Sequence, residues 1–326
     1  MKPTFRTNAL RIRRLLAAPV AVLIAAGYFF AGVPHGEAAK KIDVVTTTQD
    51  LASIATMIGG DRVRVESLSK GYQDPHFVDA KPSYLLKLRK AALYVQVGRD
   101  LEAGWAPGLL NNARNSKIRP GGPGFVDASN GVKILEQGGR VGREMGDVHP
   151  LGNPHYWLDP ENGLVIAANI RDALFRNDPA GRASYQGRYE QFERQLRSRL
   201  DAWRSRAKAL GLNGMNVVTY HRSWPYAAKA FGFDVKDYVE PRPGVPPSPK
   251  HIQGLTRMMK DENVRLLILE PYFDPKLPAQ IAKNAGAALV VLPPSVGAVP
   301  EAKDYFSLFD AQLALLQKAL AAGGRS

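Results

Sequence analysis

Three of the six histidines in this 326-residue chain stand at the ends of apolar, strand-like runs, each in a short and distinctive setting. They are His76 in Gln73-Asp74-Pro75-His76, His155 in Asn153-Pro154-His155-Tyr156-Trp157-Leu158-Asp159-Pro160, and His221 in Val217-Val218-Thr219-Tyr220-His221. Neutral imidazole is the commonest metal ligand, and three nitrogen donors without a thiolate suit Zn²⁺. The pattern points to a metal site assembled from distant parts of the chain. His155 is the strongest of the three taken alone, because Pro154 fixes the backbone just ahead of it. His149 lies in a Gly/Pro-rich loop and His251 in a helix with no partner in view, and both read as surface histidines; His35 belongs to the leader and is expected to be lost with it.

The N-terminus says where such a metal would be met. Lys2, Arg6, Arg11, Arg13 and Arg14 precede an apolar run of 17 residues, Leu15 to Ala31, and small residues follow at Gly36, Ala38 and Ala39. That is the order of a secretory signal, and we read residues 1–39 as a signal peptide. The run is also long enough to serve as an uncleaved anchor, but the small residues favour cleavage. The sequence has no cysteine, so disulfides and a lipid carried on a cysteine are both excluded, and the expected compartment is the periplasm. The leader carries five basic residues and one acidic, so of the formal +14 the remaining 287 residues keep +10. These charges are dispersed and many fall on one helix, which argues for a solvated surface and against nucleic acid.

Residues 181–210 are predicted to form one long amphipathic helix. Tyr185, Tyr189, Phe192, Leu196, Leu200, Trp203, Ala207 and Leu210 recur at spacings of three and four. On either side, strands alternate with helices. The first half has strands at 42–48, 63–68 and 93–97, with helices around 51–58 and 84–90. The second has strands at 216–220, 265–269 and 288–292, with helices around 225–231, 249–260 and 278–285. Residues 111–154 read as surface loops. The alternation predicts an α/β fold: two lobes with parallel sheets flanked by helices, bridged by the long rigid helix. The expected divisions are a first lobe over 40–180, the helix over 181–210 and a second lobe over 211–326. Ligands in such sheets bind beyond the carboxyl ends of the strands, where His221 stands. Ser248-Pro249 supplies an N-cap and a proline at the first helical position.

These residues carry a resemblance. Asp74-Pro75-His76 with Lys81-Pro82-Ser83, Tyr94-Val95-Gln96-Val97-Gly98 and Leu101-Glu102-Ala103-Gly104-Trp105 resembles the first ligand region of the zinc/manganese ABC transporter solute-binding proteins. Asn153 to Pro160 is similar to that family's second ligand motif. Tyr220-His221 with Tyr226, Phe231 and Gly232 resembles the third, and Leu267-Ile268-Leu269-Glu270-Pro271 a later strand of the second lobe. The resemblance runs in order along essentially the whole chain after the leader. It implies a metal site in the cleft between lobes, with His76 and His155 from the first lobe and His221 from the second. It also implies capture of a divalent metal ion and delivery to an inner-membrane ABC permease with its ATPase, without enzymatic activity. A monomer is expected, and a periplasmic metallochaperone is a further candidate partner.

Two departures from the family pattern matter. The family often places an aspartate ligand after the last strand, but Leu292-Pro293-Pro294-Ser295-Val296-Gly297 has no carboxylate. The fourth position is left to water or to Glu270, which equally suits a supporting role in accepting a histidine N–H. Asp74 is a further candidate, restricted by Pro75. The second departure is the absence of a histidine-rich loop before the second motif. Three imidazoles and at most one carboxylate favour Zn²⁺ over Mn²⁺, which prefers more oxygen. Affinity is expected to fall as pH drops toward about 6, because the ligands must be neutral. The rival from another class is a secreted zinc hydrolase with a three-histidine site and Glu270 or Asp274 as base. Against it, the chain has no His-Glu-x-x-His helix.

Overall fold

In a computed structural model, residues 41–136, 150–242 and 244–323 are described. The leader assigned to residues 1–39 and His149 lie outside them. The strands form where β-branched and apolar residues cluster. β1 (Ile42–Thr46), β2 (Val63–Ser67), β3 (Leu93–Gln96) and β4 (Phe125–Asp127) make one sheet, in the order β2-β1-β3-β4. β5 (Asn216–Thr219), β6 (Asp234–Tyr238), β7 (Leu266–Leu269) and β8 (Ala288–Val291) make a second, in the order β6-β5-β7-β8. All pairings are parallel, with Val44 opposite Val65 and Leu93 in the first sheet and Val217 opposite Leu266 in the second. The second sheet therefore repeats the topology of the first. In each, the strand order reverses beside its first strand, the position where α/β sheets open a crevice at their carboxyl edge.

Helices cover the sheets: α1 (Gln49–Gly59), α2 (Pro82–Lys90), α3 (Ala106–Ala113) and α4 (Asn162–Asn177) on the first, and α6 (Pro225–Phe231), α7 (Pro249–Asp261) and α8 (Lys276–Ala285) on the second. Between them runs α5 (Arg182–Ala209), 28 residues long and so about 42 Å. A final helix, α9 (Tyr305–Gly323), packs back against α5 and α1. Capping follows the sequence: the Thr48 hydroxyl accepts from Leu51 N–H at the start of α1, and the Ser248 hydroxyl from His251 N–H at the start of α7.

The α5 stripe is buried at Tyr185, Phe192, Leu196, Leu200, Trp203 and Ala207, while Tyr189 and Leu210 are only partly covered. Most of that stripe joins one apolar core that also contains Val44 and Val95 from the first sheet and Val217 and Ile268 from the second. Phe192 stacks on Phe306 at 5.2 Å, and Trp203 meets Phe309 at 5.0 Å. The bridging helix is thus fixed by burial along its length, not by its ends.

Several elements escape the sequence reading. Residues 111–154 contain the end of α3 and all of β4, which has only three residues and follows Gly121, Gly122 and Gly124. β6 reads Asp-Val-Lys-Asp-Tyr, too polar to stand out, because it is an edge strand with only one neighbour. α4 and α9 are also additions.

Candidate metal centre

His76 sits in the loop that follows β2. The Asp74 carboxylate accepts from His76 N–H at 2.9 Å and lies 2.7 Å from its Nδ1, so one side chain sets both backbone and ring. Burial works against the Asp74 charge, but its contacts with His76 outweigh that and hold it below the usual carboxylate range. The indole of Trp105 donates to the Pro75 carbonyl at 3.1 Å and pins the turn from outside.

His155 follows Pro154, and its N–H donates to the Asn153 side-chain oxygen at 2.9 Å. A single 3₁₀ turn, Tyr156–Leu158, then turns the chain toward α4. His221 emerges two residues beyond β5, and its carbonyl accepts from the Thr219 hydroxyl at 2.7 Å.

These three loops bring three buried imidazoles together. Ring centroids are 5.1 Å apart for His76 and His155, 5.3 Å for His76 and His221, and 5.5 Å for His155 and His221. One donor nitrogen from each lies within 4.8 Å of the others. A tetrahedral zinc site with bonds of about 2.0–2.1 Å places its nitrogens roughly 3.3 Å apart, so small ring movements suffice to close on an ion. Three buried polar rings this close together are a favourable place for a cation.

Glu270 stands just beyond β7 and is fully buried, but it does not join that cluster. Its Oε1 accepts from the Trp224 indole at 2.9 Å, and burial pushes its carboxyl up to about 8. Asp274 is exposed, accepting from Lys276 N–H at the start of α8. His251 contacts the Tyr238 carbonyl at 2.9 Å, away from the three rings.

Sequence reasoning missed Glu240, whose Oε2 lies 2.6 Å from His221 Nδ1. The signal was latent in the pairing of β5 with β6. The pairing ends with Thr219 opposite Tyr238, and His221 and Glu240, each two residues beyond its strand, come side by side. Without β6 assigned, that register was invisible. A second buried carboxyl, Glu102, accepts from the Thr47 hydroxyl and Val97 N–H, both at 2.7 Å, and from Gly98 N–H at 3.0 Å. Burial raises it to about 7, and its bonds organise the loop beyond β3.

Two parallel-sheet lobes, a long connecting helix and a buried cluster of donor side chains define a solute-binding protein of the two-lobed kind. The chain belongs to the family described as zinc-uptake complex component A, periplasmic, whose model matches residues 44–319. It is similar to the manganese ABC transporter substrate-binding lipoprotein PsaA of Streptococcus pneumoniae, with 28% identity covering 84% of this chain and 86% of that protein. It is also similar to the iron ABC transporter substrate-binding lipoprotein MtsA of Streptococcus pyogenes serotype M1, with 26% identity covering 76% and 77%. Among solved structures, a deletion mutant of ZnuA with zinc bound shares the fold at a TM-score of 0.70, with 25% identity over 87% of this chain and 98% of that one.

The protein is therefore a metal ABC transporter substrate-binding protein, of the class that works with a membrane permease and an ATPase. Among the described residues, no helix is long and apolar enough to cross a membrane. The relatives are named as lipoproteins, which runs against the expectation of a chain without a lipid anchor; the sequence itself contains no cysteine.

Proposed function

We propose that this protein captures Zn²⁺ in the periplasm through His76, His155 and His221 and delivers it to an ABC permease. The observation that carries this reading is the convergence of three buried imidazoles, with no carboxylate oxygen, among the described residues, in the cluster of donor atoms. An all-nitrogen set suits zinc, whereas manganese sites draw more on oxygen. The relatives named for manganese and iron make the ion the point at issue, and the donor set is the reason for choosing zinc. The fourth position belongs to water, or to Glu270 if its carboxylate exchanges the Trp224 indole for the ion.

On this reading residues 1–39 are removed on export. The lobes at 40–180 and 211–326 then hold the ion between them about the helix at 181–210, and the protein acts as a monomer. A periplasmic metallochaperone is a further candidate partner.

Calorimetric titration of the metal-stripped protein with Zn²⁺, Mn²⁺ and Fe²⁺, beside a His155→Ala variant, tests the proposal. One-to-one zinc binding, tighter than for the other two ions and lost in the variant, is expected. Preferential manganese binding, or zinc binding indifferent to His155, would overturn it.

A further inference from the structure

Glu240 is buried, with 7% of its surface exposed, and both its carboxylate oxygens are engaged. Oε2 faces His221 Nδ1 at 2.6 Å, and Oε1 accepts from Gly244 N–H at 2.7 Å. The backbone reinforces this placement. Glu240 N–H donates to the Tyr220 carbonyl at 3.0 Å, which holds the carboxylate beside the ring. Gly244 has φ of 75°, a left-handed conformation that glycine adopts without strain, and this aims its N–H back at Glu240. Arg242 and Val245 close the same turn through a bridge, Val245 N–H donating to the Arg242 carbonyl at 2.9 Å.

An ionised carboxylate can only accept hydrogen bonds. With Glu240 as a carboxylate, the proton of this contact sits on Nδ1 and the lone pair of the neutral ring on Nε2. We propose that Glu240 is a positioning residue: it locks His221 in the Nδ1–H tautomer, presents Nε2 to the ion, and ties that ligand to the Arg242–Val245 turn. The proposal rests on His221 being a metal ligand. Asp74 holds His76 in a comparable way, but from two residues away in the same turn. Glu240 reaches His221 from the bend that follows β6, so its hold on the ring depends on how that strand is paired with β5 and can be removed without rebuilding the ligand loop.

The test is the tautomer of His221 in the metal-free protein, read from long-range proton–nitrogen spectra at about pH 7.5, where a free imidazole is neutral. Wild type is expected to show the Nδ1–H form. Glu240→Gln keeps the volume and can keep the bond from Gly244, but it offers an N–H to the ring, so His221 is expected to switch to Nε2–H. Zinc affinity then falls roughly 10–100-fold, the usual consequence of losing a residue that orients a ligand. Glu240→Asp, which keeps the charge, is expected to retain the Nδ1–H form. A wild-type ring protonated at Nε2 overturns the proposal, as does a Glu240→Gln protein that keeps both the Nδ1–H form and wild-type affinity. His221→Ala separates the two readings. If zinc affinity survives that change, the ligand assignment has failed, whereas the tautomer measurement judges Glu240 by itself.

Discussion

The Asp50 carboxylate, in the first turn of α1, accepts from Val296 N–H at 2.9 Å across 246 positions of sequence. It accepts from the Ser295 hydroxyl as well, so the loop after the last strand of the second sheet is tied to the first helix of the first. Three further bonds run beside it. The Trp157 indole donates to the Pro294 carbonyl at 2.9 Å, the Tyr305 hydroxyl to the Trp157 carbonyl at 2.8 Å, and Tyr305 N–H to the Ser53 hydroxyl at 2.9 Å.

Burial raises Asp50 from its ordinary 3.8 to about 6. Because the folded value lies above the unfolded one, the folded chain binds more protons between them. The resulting stabilisation is full below about pH 4 and is lost as pH rises through about 6. The difference corresponds to about 3 kcal/mol. Asn in its place can still accept from Val296 and can donate to Ser295. The stability of Asp50→Asn relative to wild type is thus expected to rise across this window by up to that amount. Denaturant unfolding of both proteins at a series of pH values checks it, and a constant difference would refute it.

Gly71 lies on the loop that leads to His76. A Cβ there would fall 1.9 Å from the Val296 carbonyl oxygen and 2.7 Å from Ala298 N, both backbone atoms with little freedom to retreat. Gly71→Ala is expected to cost on the order of 1–3 kcal/mol and to weaken metal binding by displacing the His76 loop. An unchanged unfolding midpoint would show that the loop yields more easily than its packing implies.

Tyr305→Phe deletes a hydroxyl without changing the ring. The buried Trp157 carbonyl then loses its donor, two residues after His155. The expected loss is about 1–2 kcal/mol, the penalty for an unsatisfied buried acceptor. Thermal unfolding measures it, and a variant as stable as wild type would mean that water replaces the hydroxyl.

Binding of an ion only to the folded state raises the unfolding free energy by about 4 kcal/mol at a thousandfold excess over Kd. Zinc is expected to raise the melting temperature of wild type and of His251→Ala. In His76→Ala, His155→Ala and His221→Ala the effect should be absent or strongly reduced. Equal shifts in all five proteins would place the ion elsewhere.

Local features of the chain were legible from residue types alone. Apolar β-branched runs mark the central strands, Ser248-Pro249 the start of α7, and the three-and-four spacing of Tyr185 to Leu210 the long helix, to within a residue of its observed ends. The three histidines could be singled out because each follows a strand or a rigid turn, a matter of neighbours in sequence. What could not be read were relationships created by packing. β4, with three residues, and the polar β6 are edge strands whose pairing, not their composition, makes them strands. Glu240 acquires its partner only through the register of β6 on β5. Glu270 and Asp50 show the same limit: whether a buried carboxyl meets an indole, a hydroxyl or a metal depends on which loops the two sheets bring together. Propensity and capping act within a few residues, so the sequence carries them openly. The company a buried polar group keeps is decided across hundreds of residues, and only the folded chain supplies it.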